Sequence, residues 1–438
     1  MSGGLAPAPF APVARGVLEF RPMIEWDEMH LSMRDAVRKF VESEVKPKRD
    51  ALEREEILPY DILRKFFDAF GVAEMNRARG ESEVRRAQKR EEAVARGEAP
   101  PARAKRDGPD PQAGLELAMR MIPVIEFCKY SPGLITALGV SAGLTPNAII
   151  SKGTARQIER WALPLLTLEK VGAWAITEPG SGSDAFGSMK STARRDGDEY
   201  VLNGSKTFIT NGPYADTIVF ICKLDEGNAP SERKVVSFVL DRGTKGLEQS
   251  KPLRKMGQHS SPTGELFLED VRVGRDRLIG ESEEGRGREG AKETFVSERT
   301  LVAAMALGII EQCLSLSTEY ARTRIQFGKP IGEFQLIQLK LAKMEVARMN
   351  VQNLIFRQIA MAAEGKSMDL AEASACKLYS AQATMEVALE AVQLFGGNGY
   401  MSEFHVEQLC RDAKVLQIYG GTDEIQISQI ARTLLARG

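Results

Sequence analysis

Ala173–Gly212, AWAITEPGSGSDAFGSMKSTARRDGDEYVLNGSKTFITNG, is the stretch on which the fold turns. Ala173 to Thr177 alternates small and bulky residues as a strand does, then breaks into Glu178-Pro179-Gly180-Ser181-Gly182-Ser183-Asp184, a loop of small residues. Arg194 to Asp198 has the composition of a hairpin turn. Tyr200-Val201-Leu202 leads to Asn203-Gly204, a second turn signal, and the strand Lys206–Thr210 ends on Asn211-Gly212. Two strands thus end in hydroxyl-bearing residues, Thr177 and Thr210, beside small-residue loops. Such ends can offer N–H and O–H groups to a flat heterocycle. An antiparallel meander with polar turns has the same pattern.

Working outward, 438 residues suffice for two or three domains, each with its own core. The 59 basic and 60 acidic residues nearly cancel, which argues against nucleic-acid or membrane-surface binding. Five scattered cysteines without a CxxC pair, and three histidines, give neither a disulfide framework nor a metal cluster. The cytoplasm is the expected compartment, with the mitochondrial matrix as the alternative, since residues 1–22 are acid-poor and carry Arg15 and Arg21. No stretch reads as long and apolar enough to span a bilayer.

Residues 23–172 read as a helical domain. Met29, Met33, Val37, Phe40 and Val41, and then Ile62, Leu63, Phe66, Phe67 and Phe70 up to Gly71, recur at helical spacing. Within it, residues 77–111 are nearly devoid of large apolar side chains. They read as a solvated helix followed by a Pro-rich loop, or as a basic interaction patch. Gly153 to Leu166 reads as a helix stopped before Pro164, with Trp161 in the core. Residues 173–285 carry strands at Ile218–Ile221, Val235–Leu240 and Glu265–Leu268. From 286 to 438 the chain is helical. The expected fold class is α+β: an N-terminal helical domain, a middle β-barrel or sandwich, and a C-terminal helical bundle.

The literal strings add a resemblance. TEPGSGSD followed by KTFITNG is similar to the flavin-binding segment of the acyl-CoA dehydrogenase family. Three further strings match the family in order: Arg324-Ile325-Gln326-Phe327-Gly328 with Gln335, Gln393-Leu394-Phe395-Gly396-Gly397, and Tyr419-Gly420-Gly421-Thr422-Asp423-Glu424. The resemblance covers residues 115–437 and, more loosely, 23–75. It implies an FAD enzyme that oxidises the Cα–Cβ bond of an acyl-CoA, a homo-oligomer, tetrameric by family habit, and an electron-transfer flavoprotein as partner. It assigns FAD contacts to Trp174, Ile176, Thr177, Ser183, Phe208, Ile209, Thr210, Arg324, Phe327, Gln335, Gln393, Gly396, Gly397, Thr422 and Glu424. Ser183, Arg299 and Gly420 would meet the substrate.

One departure matters. Many family members carry the catalytic base in a Tyr-Glu-Gly-Thr string, and this chain has glycine at 420. The isovaleryl and long-chain branches place the base in a Glu-Arg pair upstream of the Arg-x-x-Phe-Gly segment. Glu298-Arg299 stands at the matching distance, 26 positions (324 minus 298) before Arg324. Glu298 is therefore the expected base, with Glu293 and Glu311 as alternatives. A helix-dipole role for a carboxylate in a first turn would be the structural explanation of Glu298.

Overall fold

The computed structural model describes residues 25–99, 108–284 and 287–436, and between 287 and 297 only the side chain of Val296. Residues 1–22 of the expected flexible N-terminus, and 100–107 of the polar stretch, lie outside the described residues.

Helix α1 (Glu28–Phe40) starts on Asp27, whose carboxylate accepts the His30 N–H at 2.8 Å. After the short α2 (Arg49–Glu53), α3 (Tyr60–Ala69) buries Ile62, Leu63, Phe66 and Phe67. Gly71, at φ +61°, ends α3 and opens α4 (Val72–Ala95). The expectation of a purely solvated helix here needs correcting. The buried face of α4 consists of Gly80, Val84 and Ala87, too small to register as an apolar stripe, and it packs against Ile158, Trp161 and Leu165. Arg90 donates to the Gly153 carbonyl, and Glu91 accepts the Ala155 N–H at 2.7 Å.

Next come α5 (Pro111–Cys128) and α6 (Pro132–Leu138), joined by a π-helical turn, Gly139–Leu144, to α7 (Thr145–Lys152). Two short pieces, α8 (Ala155–Gln157) and α9 (Leu163–Leu166), flank another π turn. The helix expected to stop before Pro164 runs through it, because a proline in a first turn forfeits no hydrogen bond. Trp161 is core, 2% exposed, with its N–H on Asp241 at 3.0 Å.

The sheet has seven strands: β1 (Gly172–Ala175), β2 (Thr192–Asp196), β3 (Glu199–Thr210), β4 (Thr217–Asp225), β5 (Val235–Asp241), β6 (Leu247–Gln249) and β7 (Thr263–Gly274). Its order is β1-β4-β2-β3-β7-β6, with β5 on the other side of β4. Gly197 (φ +64°) makes the expected β2–β3 hairpin. Asn203-Gly204 is a bulge inside β3 instead of a turn. The reason is steric: a Cβ on Gly204 would lie 2.9 Å from the Cα of Ser191. A second irregularity, between Lys206 and Ile209, sets Phe208 at φ +56°.

The last body holds α10 (Gly287–Thr323), a hairpin of β8 (Ile325–Gln326) and β9 (Lys329–Pro330), then α11 (Gln335–Ala363), α12 (Leu370–Phe395), α13 (His405–Lys414) and α14 (Asp423–Ala436). Both helical bodies share one core: Val37, Phe66 and Phe127 belong to the same buried cluster as Ile309, Ile355 and Leu409. The sheet keeps its own cluster around Leu202, Phe220, Phe238 and Leu266. One expectation is overturned here. Pro132–Lys152 and Glu298–Thr323 are long and apolar enough to cross a membrane by length and composition. Half or more of each apolar window is buried inside the fold, so this apolarity serves the shared core.

Candidate active site

Glu298 lies three turns into α10, because the helix begins at Gly287. A first-turn dipole role is thereby excluded. Its side chain faces the turn between α13 and α14: a Cβ built on Gly420 would lie 3.5 Å from both Cδ and Oε1 of Glu298. The carboxylate thus occupies the space that a side chain at 420 would enter. Desolvation pushes its pKa up to about 7, against the opposing pull of Arg299 and Lys377.

The turn that faces Glu298 is built for glycine. Gly420 has φ +62° and Gly421 φ +90°, and a Cβ on Gly421 would meet the Gln426 amide nitrogen at 2.8 Å. Gln426, fully buried, donates to the carbonyls of Gly420 (3.1 Å) and Gly421 (2.8 Å). From α12, Lys377 donates to the Gly421 carbonyl at 2.9 Å and pairs with Asp423 at 3.3 Å. Arg299 is buried and reaches Ser374 of α12 at 2.9 Å, behind the turn. Tyr419 donates to the sulfur of Met305, two turns along α10 from Glu298. On α6, Thr136 donates to the Gln258 side chain at 2.7 Å.

The alternatives for a base fare differently. Glu311 is held by Arg34 and Lys129 in an ion cluster between α1, α5 and α10. Glu293 lies among the side chains outside those described.

The loop after β1 is anchored by a buried ion pair. Lys206, fully buried, donates to Glu178 at 2.9 Å and to the Ile176 carbonyl at 3.1 Å. Glu178 also accepts the N–H groups of Lys190 and Ser191. Burial works against its charge, yet Lys206 and these donors hold its pKa below the usual value. The N–H of Thr207 bonds the Thr177 carbonyl at 2.9 Å, which draws Thr177 beside Phe208, Ile209 and Thr210. Phe208 stands 70% exposed, Ile176 and Ile209 are buried, and Trp174, Thr177 and Thr210 are half-buried. Ser183 is exposed in the loop, where a Cβ on Gly180 or Gly182 would meet nothing within 4 Å. Asn211 (φ +64°) ties the end of β3 to the carbonyls of Ala137 and Gly172 and to the Tyr60 hydroxyl.

Comparison with known proteins now bears on this geometry. Residues 173–271 match the family model for the acyl-CoA dehydrogenase middle domain, and residues 285–435 that for the acyl-CoA dehydrogenase C-terminal domain. The chain belongs to the acyl-CoA dehydrogenase family. It is 38% identical over 322 residues to the short-chain specific acyl-CoA dehydrogenase of Megasphaera elsdenii, covering 74% of this chain and 83% of the relative. The solved butyryl-CoA dehydrogenase of the same organism superposes with TM-score 0.75 at 32% identity, covering 94% of this chain and 99% of the other. A chain from a structure of the electron transferring flavoprotein of Acidaminococcus fermentans superposes with TM-score 0.74 at 31% identity, covering 94% and 99%.

The residues matched to the family's flavin contacts fall into two groups. The first comprises the ends of β1 and β3, which the Thr207–Thr177 bond draws together, and, on the turn that faces Glu298, Thr422, which caps α14, and Glu424, which is exposed. At the far end of α10 are Arg324, Phe327, Gln335, Gln393, Gly396 and Gly397, all exposed. Tyr320 holds this second group together: it stacks on Phe395 at 4.1 Å, and its hydroxyl accepts from Asn398 at 3.0 Å. From Glu298 to Thr323 is 25 residues of helix, about 38 Å at 1.5 Å per residue. The structure therefore brings the β1 and β3 ends together, sets Thr422 and Glu424 at the turn facing Glu298, and gathers the second group at the opposite end of α10.

Lys206, Asn211, Gln258 and Lys377 escaped the sequence reading of this acyl-CoA dehydrogenase. Lys377 had one available signal: a lysine between Ala373, Cys376 and Ala381 on a buried helix face.

Proposed function

We propose that this chain dehydrogenates an acyl-CoA thioester across Cα–Cβ to the trans-2-enoyl-CoA, with Glu298 as the base and FAD as its cofactor. The observation that carries the reading is the replacement of a carboxylate at 420 by one at 298, pointed into the same space. A carboxylate with pKa about 7 can take the α-proton and yet release it near neutrality. The Gly420 N–H would hold the thioester oxygen, on which charge develops as the α-proton leaves.

The residues fit FAD when two copies supply them. One copy offers the apolar and hydroxyl-bearing ends of β1 and β3, with Phe208 projecting. The other offers the exposed Arg324, whose fork of donors suits a pyrophosphate, and the open backbone at Gly396 and Gly397, where a Cβ would meet nothing within 4 Å. FAD, when bound, supplies the hydride acceptor for the β-hydrogen. A homo-oligomer, in the expected form a tetramer, is supported by the exposure of Arg324, Phe327, Gln335, Gln393, Gly396 and Gly397 in a single copy. An electron-transferring flavoprotein is the electron acceptor we favour, with support from the likeness to a chain in such a structure.

The test is anaerobic titration of the purified, yellow protein with a panel of acyl-CoA esters. Bleaching of the flavin by one class, with slow reoxidation in air, supports the dehydrogenase. Rapid oxygen consumption during turnover would make it an oxidase, and no bleaching by any ester would remove the enzymatic reading.

A further inference from the structure

We propose that Lys377 is a positioning residue for proton abstraction, fixing the Gly420–Gly421 turn and supplying the positive charge that keeps Glu298 ionised; this rests on Glu298 being the base, as proposed above.

An ammonium on a helix face packed with Ala373, Cys376 and Ala381 is costly to bury unless it has a task. Lys377 has two direct partners, the Gly421 carbonyl at 2.9 Å and Asp423 at 3.3 Å. Asp423 is not reserved for it, since Gln382 (3.4 Å) and Gln417 (3.2 Å) also donate to that carboxylate. The charged groups around Lys377 come from two elements. Its own α12 contributes none of them, α10 brings Glu298 and Arg299, and α14 brings Asp423 and Glu424. Arg299 spends one nitrogen on Ser374, one turn before Lys377 on α12, so α12 presents its hydroxyl and its ammonium to the back of the same turn. Around Glu298 the favourable charges are Arg299 and Lys377, and Tyr419 lies on the chain segment just before the turn.

A neutral amide at 377 could still donate toward the Gly421 carbonyl, from one bond nearer the helix. What it could not do is attract a proton-accepting carboxylate on the neighbouring helix. The charge is therefore the informative part of this lysine, and its effect is readable as a displaced pH profile.

The experiment measures anaerobic flavin reduction by an active acyl-CoA ester from pH 5.5 to 9, on FAD-loaded enzyme. Lys377→Gln should raise the midpoint of the profile by about one unit, the low end of what a neighbouring opposite charge does. The rate at pH 6 then falls about tenfold, and the loss shrinks as the pH rises. Lys377→Arg should restore the midpoint. Asp423→Asn removes the counter-charge and should move the midpoint down, which a loosened turn would not do; it also keeps the test open where Lys377→Gln fails to load FAD. Midpoints unmoved in Lys377→Gln or, where that variant is empty, in Asp423→Asn would overturn the proposal while leaving Glu298 as base. Near-normal reduction in Glu298→Gln would overturn both.

Discussion

Replacing Glu298 by glutamine should stabilise the protein above neutral pH and do little below pH 5. The folded-state pKa of Glu298 is about 7 against 4.5 for a free glutamate. A carboxyl whose pKa rises on folding favours the fold while protonated, and that contribution is lost as the pH climbs from 4.5 through 7. The 2.5-unit shift sets a ceiling of about 3.4 kcal/mol. The side chain is partly accessible, so solvent screening reduces this to about 2 kcal/mol. Glutamine carries no charge and regains that amount at pH 8, and about a quarter of it at pH 5. With an unfolding entropy of about 2.1 cal/mol/K per residue, 2 kcal/mol over the chain is about 2 °C in Tm. Thermal melts of the FAD-loaded wild type and variant at pH 5 and pH 8 make the comparison. Asp412 and Lys255, which also titrate near these values, cancel in the difference. A Tm gap that is equal at both pH values, or larger at pH 5, would refute the reasoning.

Four further outcomes can be measured. Gly308→Ala should cost about 3 kcal/mol or more by thermal melt, because its Cβ would lie 2.2 Å from the backbone carbonyl oxygen of Ile125, where α10 crosses α5. Gly80→Ala should stay within about 1 kcal/mol of wild type, since its nearest neighbours are the movable ends of Leu163 and Leu166. Val84→Asp, on the buried face of α4, should cost about 3 kcal/mol, whereas a Gly/Ser replacement of residues 98–108 should leave Tm and FAD content nearly unchanged.

Strands and strings with local meaning were legible in the sequence. The apolar, β-branched and aromatic runs Ile218–Ile221 and Val235–Leu240 place β4 and β5, and the Glu298-Arg299 pair at its spacing from Arg324 singled out the carboxylate that faces Gly420. Features set by distant partners were not. Asn203-Gly204 carries the local signature of a turn, and only the approach of Ser191 makes it a bulge. The face of α4 is made of residues too small to count as apolar, yet they fit against α9 and its preceding π turn. The depth of Glu298 within α10 was hidden because residues 287–297 are polar and show no helical period. Lys206 and Lys377 have partners 28 and 46 residues away, beyond any local pattern.

The most direct test of the central assignment is single-turnover flavin reduction in FAD-loaded Glu298→Gln, followed anaerobically with a substrate that bleaches the wild type. Glutamine keeps the size and the hydrogen bonding of the side chain and removes its capacity to accept the α-proton. FAD content and ligand affinity should remain, and the reduction rate should fall by at least about a thousandfold. A rate within about tenfold of wild type would contradict the account and shift the search for the base to Glu293 or to a different reaction.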